Sequence, residues 1–503
     1  MNCSSHQNAA RTGRRGFPSR LISVRKKLAW GVVFLLSLRV PGLAAAAEPS
    51  DLLDPASAAR QFTAAEDFHL SVFAAEPDVV QPVAMTFDDR GRLWVVEMLT
   101  YADLTTNFDL TLHDRIVIFE DTDGDGHFDK RTVFWDGGQR VTSVALGFGG
   151  VWVLAAPQLL FIPDRNGDDV PDGPPEVLLD GWDAGPIRHN IVNGLKWGPD
   201  GWLYGRHGIQ ATSNVGKPGA PDSERTRLNC CIWRYHPTRH VFEVVCQGGT
   251  NPWGHDWDQF GNLWFINTVI GHLWQGIPGA WFKRMYGEHL EPRRYQLIDQ
   301  HADHYHWDIS GSWTDSRNAS HGADALGGGH AHSGLMIYMG DNWPAQYRNE
   351  LFMLNFHGRR INQDHLDPQG SGYVGRHRPD LIKFADPWFR GVDLAYGPDG
   401  GVFVLDWSDT GECHENDADG VHRETGRIFK MTYGTVHKPV VSDVSKLSDL
   451  ELVRLQLHPN DWFVRQARRV LQERAASGRD MTAVHAALMK TPYVLLLAKL
   501  PVT

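Results

Sequence analysis

Cysteine is scarce in this sequence, with five residues in 503. None of them forms a Cys-x-x-Cys-His motif, so the chain carries no covalent c-type haem of its own. Cys3 stands near the N-terminus and Cys413 far from the other three. If a hairpin sets neighbouring strands side by side, Cys230 or Cys231 could pair with Cys246, and free thiols are the open alternative.

An excess of positive charge is also missing. The chain has 49 lysine and arginine residues against 60 aspartate and glutamate residues, a formal net charge of -11. No stripe of basic residues runs along it, and proteins that bind nucleic acid use such a stripe to neutralise phosphates. The composition therefore argues against a nucleic acid partner.

The apolar run near the N-terminus, residues 28–38, is too short to span a bilayer comfortably. It follows a basic stretch and precedes four alanines at 44–47. This order is typical of a secretory signal peptide, residues 1–47, and predicts export to the periplasm or the cell envelope. An uncleaved anchor is the alternative, although Arg39 interrupts the run where a longer span would have to continue.

Glycine and tryptophan are plentiful, with 51 and 19 residues. Both recur in one unit: an apolar alternating run, a turn that usually contains Asp and Gly, and a second apolar run. The unit predicts a β-hairpin, because glycine supplies the positive φ that the turn needs. Copies lie at residues 83–95, 141–153, 193–204, 253–265, 335–356 and 391–407.

Six such hairpins predict an all-β fold, a six-bladed β-propeller over residues 62–435. A hairpin buries only part of its surface, so the copies must stack side by side, and radial closure leaves few exposed edges. In such a ring, the residues that lead into each innermost strand lie at the mouth of the central channel. Polar residues at these places can converge on a ligand.

Two acidic loops have the spacing of calcium sites. Carboxylates at alternate positions, with a glycine for the sharp turn, can wrap hard oxygen ligands around one ion. Strands flank both loops, so we expect each loop to bind an ion that stabilises the tip of a hairpin. Solvated acidic turns are the alternative. The expected ligands are Asp121, Asp123, Asp125 and Asp129 in the first loop, and Asp164, Asn166, Asp168 and Asp172 in the second.

Polar residues stand before several of the repeats. His189 precedes the third repeat and is our candidate general base, because a near-neutral imidazole can take a proton from a hydroxyl. A histidine hydrogen-bonded within its loop is the alternative. We expect Asn193, Asn251, Arg359 and Arg390 to lie at the same mouth and to contact a ligand or cofactor.

The segment 279–334 is an insertion between the fourth and fifth repeats, and it is dense in histidine. Neutral imidazoles with nearby carboxylates suit Zn²⁺ or another transition metal. The spacing matches no single metal motif, so a loop that covers the channel mouth is the alternative. Its histidines are His289, His301, His304, His306, His321, His330 and His332. Beyond the last repeat, Cys413, His414 and His422 are a second candidate set, against a lone buried thiol.

The pattern becomes helical from residue 446 to 503. Leucines recur at helical spacing over 447–457, Pro459 to Asp461 starts a new helix, and an apolar face follows from Trp462 to Leu471. One such helix pair resembles the start of a HEAT-type solenoid. The helix pair needs further repeats or the flank of the propeller to bury its apolar face. We expect a protein partner to bind at this helical segment.

Four segments together resemble the propeller of the planctomycete-type membrane-bound dehydrogenase family, which is similar to the soluble quinoprotein glucose (sorbosone) dehydrogenases. The segments are HNIVNGLKWGPDGWLYGRHG (189–208), GGTNPWGHDWDQFGNLWFIN (248–267), GLMIYMGDNWPAQYRNELFMLNFHGRRIN (334–362) and WFRGVDLAYGPDGGVFVLDWSDTGECHE (388–415). The resemblance covers about residues 62–433. Longer family members add helical repeats and a cytochrome c domain, and this chain lacks the haem motif of the second.

The resemblance implies a cofactor and the roles of several residues. In the quinoprotein relatives, a histidine before a Gly-Pro-Asp-Gly hairpin removes the hydroxyl proton of a sugar while hydride passes to pyrroloquinoline quinone (PQQ), and His189 matches it. The relatives' Gly-x-Arg-Asn-Pro is similar to residues 248–252, where Thr250 replaces the arginine that pairs with a cofactor carboxylate. Arg390 resembles another cofactor arginine. The candidates to compensate for Thr250 are Arg206, Arg359 and Arg360.

Two functions follow as hypotheses. The first is oxidation of a sugar or alcohol, with His189 as base, Asn251 and Arg390 orienting the acceptor, Ca²⁺ bound, and electrons leaving through a separate carrier such as a cytochrome c-type protein. The second is a non-catalytic propeller that recognises a carbohydrate or a protein at the channel mouth. Tryptophan and histidine serve either, because aromatic faces and polar tips both suit sugars.

Overall fold

The computed structural model describes residues 52–102, 106–185, 187–411, 421–436, 438–439 and 441–491. The signal peptide and the Cys413–His414 pair lie outside these residues. Six β-sheets form the blades of a propeller, and their innermost strands neighbour one another around a ring. The predicted six-bladed propeller is therefore confirmed.

The first three blades follow the chain order from the innermost strand outwards. Blade 1 consists of Pro82–Phe87, Leu93–Glu97, Asp114–Glu120 and Lys130–Gly138. Blade 2 consists of Val141–Leu146, Gly150–Ala155, Gln158–Pro163 and Glu176–Asp180. Blade 3 consists of Asn193–Trp197, Leu203–His207, Cys231–Tyr235 and Phe242–Gly249, with Trp281–Arg284 added at its edge. A small two-stranded ribbon, Ser213–Val215 with Thr226–Leu228, lies in the connection between the second and third strands of this blade.

Blade 4 keeps chain order, whereas blades 5 and 6 each add a strand from the N-terminal end of the propeller sequence. Blade 4 consists of Pro252–Trp257, Leu263–Asn267 and Leu273–Gln275. Blade 5 consists of His332–Ile337, Leu351–Asn355, Arg360–Gln369 and Gly372–Phe384, with Phe62–Ala64 at its edge. Blade 6 consists of Gly391–Tyr396, Val402–Asp406, Arg427–Tyr433 and Phe68–Ala75.

Each predicted hairpin supplies the two innermost strands of one blade. The turns use glycine for the expected reason. Gly400 has φ 75°, and a Cβ there would meet the Asn342 backbone nitrogen at 2.5 Å. The apolar side chains of the middle strands pack between neighbouring blades, where Val95 and Val404 are fully buried. The core is therefore a ring of interfaces between blades.

The N-terminal strand Phe68–Ala75 closes the ring. It pairs antiparallel with Arg427–Tyr433, the last strand of the propeller, from Phe68 opposite Tyr433 to Ala75 opposite Arg427. Buried Arg427 adds a salt bridge to Glu76 at 2.9 Å. One blade is thus assembled from both ends of the propeller sequence, which holds the first and last blades together.

The insertion 279–334 runs from blade 3 to blade 5. Among the described residues, blade 4 has no fourth strand. The chain instead leaves as Trp281–Arg284, which pairs parallel with the outer strand of blade 3, and then bridges to blade 5 where Ala302 pairs with Gly375. The insertion therefore packs beside blades 4 and 5.

Short helices accompany the propeller. They are Pro55–Ala58, Ala323–Leu326, Asp449–Arg454, Asp461–Ala476 and Thr482–Leu488. Ser448 and Glu451 form a capping box at the start of the first C-terminal helix. Among the described residues, none of the helices has both the length and the apolar character needed to cross a bilayer.

The predicted C-terminal helical segment packs under the propeller. The apolar face of helix Asp461–Ala476 includes Trp462, Phe463 and Ala467, all of which are buried in the same core as blades 1, 5 and 6. Asn460 donates to the Gly397 carbonyl at 3.0 Å. Of the two ways to bury this face, the propeller's own surface is the one that the structure uses.

Cys230, Cys231 and Cys246 are buried free thiols, so the disulfide that the hairpin suggested is not formed. The register explains this, because Cys246 stands opposite Ile232 and Cys231 stands opposite Gln247. Cys230 lies just outside the strand, with its thiol donating to the Gly248 carbonyl at 3.1 Å.

Candidate functional site

A cavity lies at one mouth of the central channel. Its walls come from loops that enter the innermost strands and from the loops that follow the second strand in blades 1, 4, 5 and 6. Residues from all blades except blade 2 therefore meet there. The lining includes Met98, Tyr101, Arg188, His189, Asn251, Trp253, Thr268, His332, Phe356 and Trp407.

Two of the predicted site residues line this cavity, His189 and Asn251. His189 sits in the short 3₁₀ turn Arg188–Asn190. Its carbonyl accepts hydrogen bonds from Trp253 Nε1 at 2.8 Å and from Asn251 Nδ2 at 3.3 Å. The loop that carries the candidate base is thus tied through its main chain to the entry of blade 4.

Arg188 is a site residue that sequence reasoning passed over. It lines the cavity, is only 7% exposed and has φ 44°. Its guanidinium lies over the Tyr101 ring at 5.0 Å, while Nε and Nη1 donate to no partner among the described residues. A buried guanidinium with unused N–H groups is well suited to an anionic ligand. Its place beside His189 in the sequence was the available signal.

The other predicted residues do not line the cavity. Asn193 is buried and links the entries of blades 3 and 4, since its Nδ2 donates to the carbonyls of Ile191 and Pro252 at 3.0 and 3.2 Å. Arg359 is half-buried in the turn before the third strand of blade 5. Arg360 is committed to Asp324 and Asp380.

Arg390 has a structural role at the junction of blades 5 and 6. Its Nε donates to the Gly411 carbonyl at 3.1 Å, and its terminal nitrogens donate to three other carbonyls. Those three belong to Pro387, Phe389 and Thr410. The side chain touches the cavity only through the ring of Phe356, 5.7 Å away.

The rest of the cavity wall is mainly apolar and includes the rings of Tyr101, Trp253, Phe356 and Trp407. Tyr101 and Trp407 meet edge to face at 5.4 Å, and Trp407 Nε1 donates to Gln81. Aromatic walls with one buried cation suit a flat anionic ring, and this lining fits PQQ through one of its carboxylates. Arg188 thus offers the guanidinium that the sequence lost at Thr250, whose buried hydroxyl makes no hydrogen bond within the described residues.

The opposite half of the channel is charged. Lys196 Nζ lies 3.0 Å from Asp256 Oδ1, and both side chains point inward from innermost strands. Burial lowers the pKa of Lys196 and lowers that of Arg206 to about 10. Burial alone would raise the pKa of Asp256, but the nearby cations Arg465 and Lys196 lower it to about 2. This end is a salt-bridge network that is closed by the C-terminal helix.

The first predicted calcium loop brings its carboxylates together. Asp121, Asp123 and Asp129 each place an oxygen within 4.8 Å of the others at the tip of the outer hairpin of blade 1. Asp125 is not in this group, and its Oδ1 accepts from the His127 backbone N–H at 2.8 Å. The arrangement can hold a hard cation on the face away from the cavity.

The second predicted calcium loop, in blade 2, is arranged differently. Among the described residues its carboxylates, Asp164, Asp168 and Asp172, do not form such a group. Asn166 Nδ2 donates to Asp168 at 2.9 Å, and Asp172 accepts from the Arg165 backbone N–H at 2.7 Å. Hydrogen bonds within the loop therefore engage these side chains.

The histidines of the insertion separate into two groups. Four of them lie apart from one another. His289 bonds to the Phe282 carbonyl, His301 accepts from the Gln275 backbone N–H, His321 is exposed, and His330 lies 2.9 Å from Ser316 Oγ. His304, His306 and His332 come together, and residues outside the insertion join them. Burial lowers the pKa of His306 and of His332 well below the ordinary value, which favours the neutral form of both imidazoles.

Comparison with known proteins gives a family for the chain. The profile of the domain of unknown function DUF7133 matches residues 54–433, which is the propeller and its lead-in. The chain belongs to the DUF7133 family. None of the curated proteins matches the sequence. The likeness to the planctomycete-type dehydrogenases stays a prediction, because the description of DUF7133 names no activity.

Solved structures similar to this DUF7133 propeller include three dehydrogenases. A protein of Thermus thermophilus described as an oxidoreductase (glucose dehydrogenase) has 17% identity and a TM-score of 0.46, over 72% of this chain and 99% of its own. The PQQ-bound aldose sugar dehydrogenase of Streptomyces coelicolor has 15% and 0.44, over 74% and 99%. The pyranose dehydrogenase PQQ domain of Coprinopsis cinerea has 11% and 0.44, over 74% and 97%. Likenesses of this strength do not establish an activity.

Proposed function

We propose that the protein is an oxidoreductase that acts on a hydroxyl group of a sugar or an alcohol bound at the channel mouth. The observation that carries this proposal is the meeting of three groups in one aromatic-walled cavity: the His189 imidazole, the Arg188 guanidinium and the Asn251 amide. An imidazole can take the hydroxyl proton, and aromatic faces suit a sugar ring. The guanidinium and the amide suit a polar, anionic acceptor.

The proposed reaction is a two-electron oxidation of the substrate hydroxyl group. The C–H and O–H bonds of the substrate break and a carbonyl forms. His189 takes the proton from oxygen, and the two electrons leave with the hydrogen on carbon as a hydride. The tie between the His189 carbonyl and Trp253 keeps the imidazole at the cavity wall during this step.

PQQ is the acceptor that the sequence resemblance implies, and it would supply hydride acceptance when bound. Arg188 and Asn251 are the residues that would hold it. A separate carrier, such as a cytochrome c-type protein, would then take the electrons, because the sequence has no haem attachment motif. The helical segment stays our candidate place for a protein partner, on the side of its helices that faces away from the propeller.

The cellular setting forms part of the proposal. The signal-like residues 1–47 support export to the periplasm or the cell envelope. The loop of Asp121, Asp123 and Asp129 supports one bound Ca²⁺ as a staple of blade 1.

Dye reduction tests the activity. Protein incubated with PQQ and Ca²⁺ should reduce an electron-accepting dye with at least one member of a panel of aldoses and alcohols. His189→Gln should lower kcat by about 100-fold or more while the circular dichroism spectrum stays unchanged. Exposed His69→Gln is the matched control and should keep full activity.

A titration tests the cofactor contact separately. Arg188→Met should raise the PQQ concentration needed for half-maximal activity, and Arg188→Lys should do so less, because it keeps the charge but loses the planar fork. Full activity in His189→Gln would remove that residue from the mechanism. Equal PQQ affinity in wild type and Arg188→Met would remove the arginine from the cofactor site.

The alternative is a carbohydrate-binding propeller without catalysis. It is favoured by the aromatic wall, in which Tyr101, Trp253 and Trp407 meet. If no panel member is oxidised and PQQ does not bind, the oxidoreductase proposal fails. Calorimetric titration with a glycan panel, with Trp253→Ala as the variant, then decides whether the cavity binds carbohydrate.

A further inference from the structure

Five histidines and one aspartate meet beside the mouth cavity, between blades 4 and 5 and the insertion. His272 follows the second strand of blade 4, His304 and His306 come from the insertion, and Asp364 stands on the third strand of blade 5. These four residues each place one nitrogen or oxygen within 4.8 Å of the others. We call them, together with His332 and His377, the histidine cluster.

The distances within the cluster are those of a ligand shell. His272 Nε2 lies 2.8 Å from Asp364 Oδ2, and His304 Nε2 lies 3.3 Å from Asp364 Oδ1. Ligands bonded to one ion at 2.0–2.2 Å lie roughly 3–4 Å apart in tetrahedral or octahedral geometry. The observed separations therefore need only small side-chain movements to close on one ion.

Two more imidazoles flank the same centre. His306 Nδ1 lies 2.7 Å from His332 Nε2, and His306 Nε2 lies 3.3 Å from His377 Nδ1. His377 in turn lies 4.0 Å from the Asp380 carboxylate. The cluster thus offers more nitrogen donors than a four-coordinate site uses.

Hydrogen bonding accounts for only part of the cluster. Asp364 Oδ1, His304 Nε2 and His332 Nδ1 are buried and make no well-aligned hydrogen bond among the described residues. Asp364 itself is fully buried, and three of the imidazoles that face it, on His272, His306 and His332, are at most 3% exposed. Buried polar atoms are nearly always paired, and each exception needs a reason. An ion shared by Asp364 and His304, which belong to the convergent group, would give that reason for two of these atoms.

We propose that the histidine cluster binds one divalent first-row transition ion, with His272, His304, His306 and Asp364 as ligands. Imidazole nitrogens with a single carboxylate suit Zn²⁺, Fe²⁺, Mn²⁺, Co²⁺ or Cu²⁺. They do not suit Ca²⁺ or Mg²⁺, which take oxygen ligands. The site is separate from the acidic loop of blade 1 in both place and chemistry.

The ion would tie three parts of the fold together. Blade 4 has no fourth strand among the described residues, and the insertion packs in its place. One ion bound by blade 4, the insertion and blade 5 would fix that insertion as a bound zinc fixes a small domain. His332 belongs both to the cluster and to the wall of the mouth cavity, so the ion would stand one side chain behind that wall.

Metal analysis of the full chain tests this site without using any enzyme activity. The protein is made without a histidine tag, desalted, and measured by plasma mass spectrometry. It is also stripped with a chelator and titrated with Zn²⁺ and Co²⁺. We expect about one tightly bound ion per chain, and a Co²⁺ absorption spectrum typical of nitrogen and oxygen ligands.

Variants identify the ligands. Asp364→Asn and His272→Gln should each weaken Zn²⁺ binding by at least about tenfold and should lose the rise in Tm on adding Zn²⁺. His321→Asn is the matched control, because His321 is an exposed histidine of the same insertion with φ 51°, which asparagine tolerates. It should bind like the wild type.

Three outcomes would overturn the proposal. The first is no stoichiometric uptake of any of these ions by the stripped wild-type protein. The second is unchanged binding in folded Asp364→Asn and His272→Gln. The third is weak binding of several ions that dialysis removes, which indicates surface histidines. If both variants fail to fold, X-ray absorption of the Co²⁺-loaded wild type decides, since it counts the imidazole ligands directly.

Discussion

Arg465 of the C-terminal helix donates to Asp256 of blade 4 at the closed end of the channel, with 2.7 Å between Nη1 and Oδ1. Lys196 of blade 3 contacts the same oxygen from the channel wall. The helix is thus joined by charge to the innermost strands that form the channel. Because Asp256 is fully buried, losing either cation leaves a carboxylate poorly compensated.

We therefore expect Arg465→Met to destabilise the protein by about 2–4 kcal/mol, since it removes one partner of a buried ion pair. Urea unfolding measures this. Arg454→Met is the control, because Arg454 is exposed and makes only a 4.0 Å contact with Glu451. It should change the free energy of unfolding by less than about 0.5 kcal/mol. Equal effects of the two variants would mean that the helix does not depend on this pair.

The innermost strands of blades 4 and 5 approach too closely for a side chain at Gly254. A Cβ there would lie 2.3 Å from the Leu335 backbone nitrogen. We expect Gly254→Ala to cost about 1–3 kcal/mol through overpacking, as a fall in Tm. Gly372→Ala has open space and should be neutral. A neutral Gly254→Ala would show that the two blades can separate without cost.

Asp406 should make stability depend on pH. Burial raises the pKa of Asp406 to about 7, and Oδ2 makes no hydrogen bond among the described residues. The unfolded chain releases this proton near the ordinary aspartate pKa of 3.8, whereas the folded chain keeps it to about pH 7. The contribution of Asp406 to stability is therefore full below about pH 4 and falls as the pH rises through 7.

Asp406→Asn carries no such charge, so its Tm relative to the wild type should rise between pH 4 and 7 and then level off. The difference is roughly 4 kcal/mol at most, from 1.4 kcal/mol for each tenfold change in proton affinity. Exposed Asp136→Asn is the control and should show no such trend. A constant difference for Asp406→Asn across this range would contradict the raised pKa.

Calcium should stabilise the protein through the loop of blade 1 alone. At a Ca²⁺ concentration 100 times Kd, binding adds about 2.7 kcal/mol, which appears as a rise in Tm. Asp121→Asn should abolish the rise, because Asp121 belongs to the converging group. Asp164→Asn in the second loop should keep it. If Asp164→Asn is the variant that loses the effect, the assignment of the two loops is reversed.

Local sequence was a good guide to the hairpins and to part of the mouth. The alternation of apolar residues, the turn glycines and the tryptophans are signals that each occupy a stretch of about fifteen residues. All six hairpins form as predicted. Because each innermost strand begins at the mouth, the position of His189 and of Asn251 before their repeats also placed both at one cavity.

The sequence did not predict which way the long side chains point. Arg390 stands at the expected place but turns toward four carbonyls, whereas Arg188 turns into the cavity. Which way a long side chain points depends on the carbonyls that its neighbours leave unpaired. The structure decides between the disulfide and the free thiols, which the sequence left open, for a related reason, since one residue of register separates Cys231 from the place opposite Cys246.

What the sequence determined by itself is the repeated hairpin, and with it the number of blades, because turn chemistry and the alternation of apolar residues are local properties. Only the tertiary structure decided the histidine cluster, the closure of the last blade by Phe68–Ala75 and the docking of the helix at Asp256. Each of these joins residues that are far apart in the chain. Their proximity follows from how the blades pack around the ring, and no local spacing encodes that.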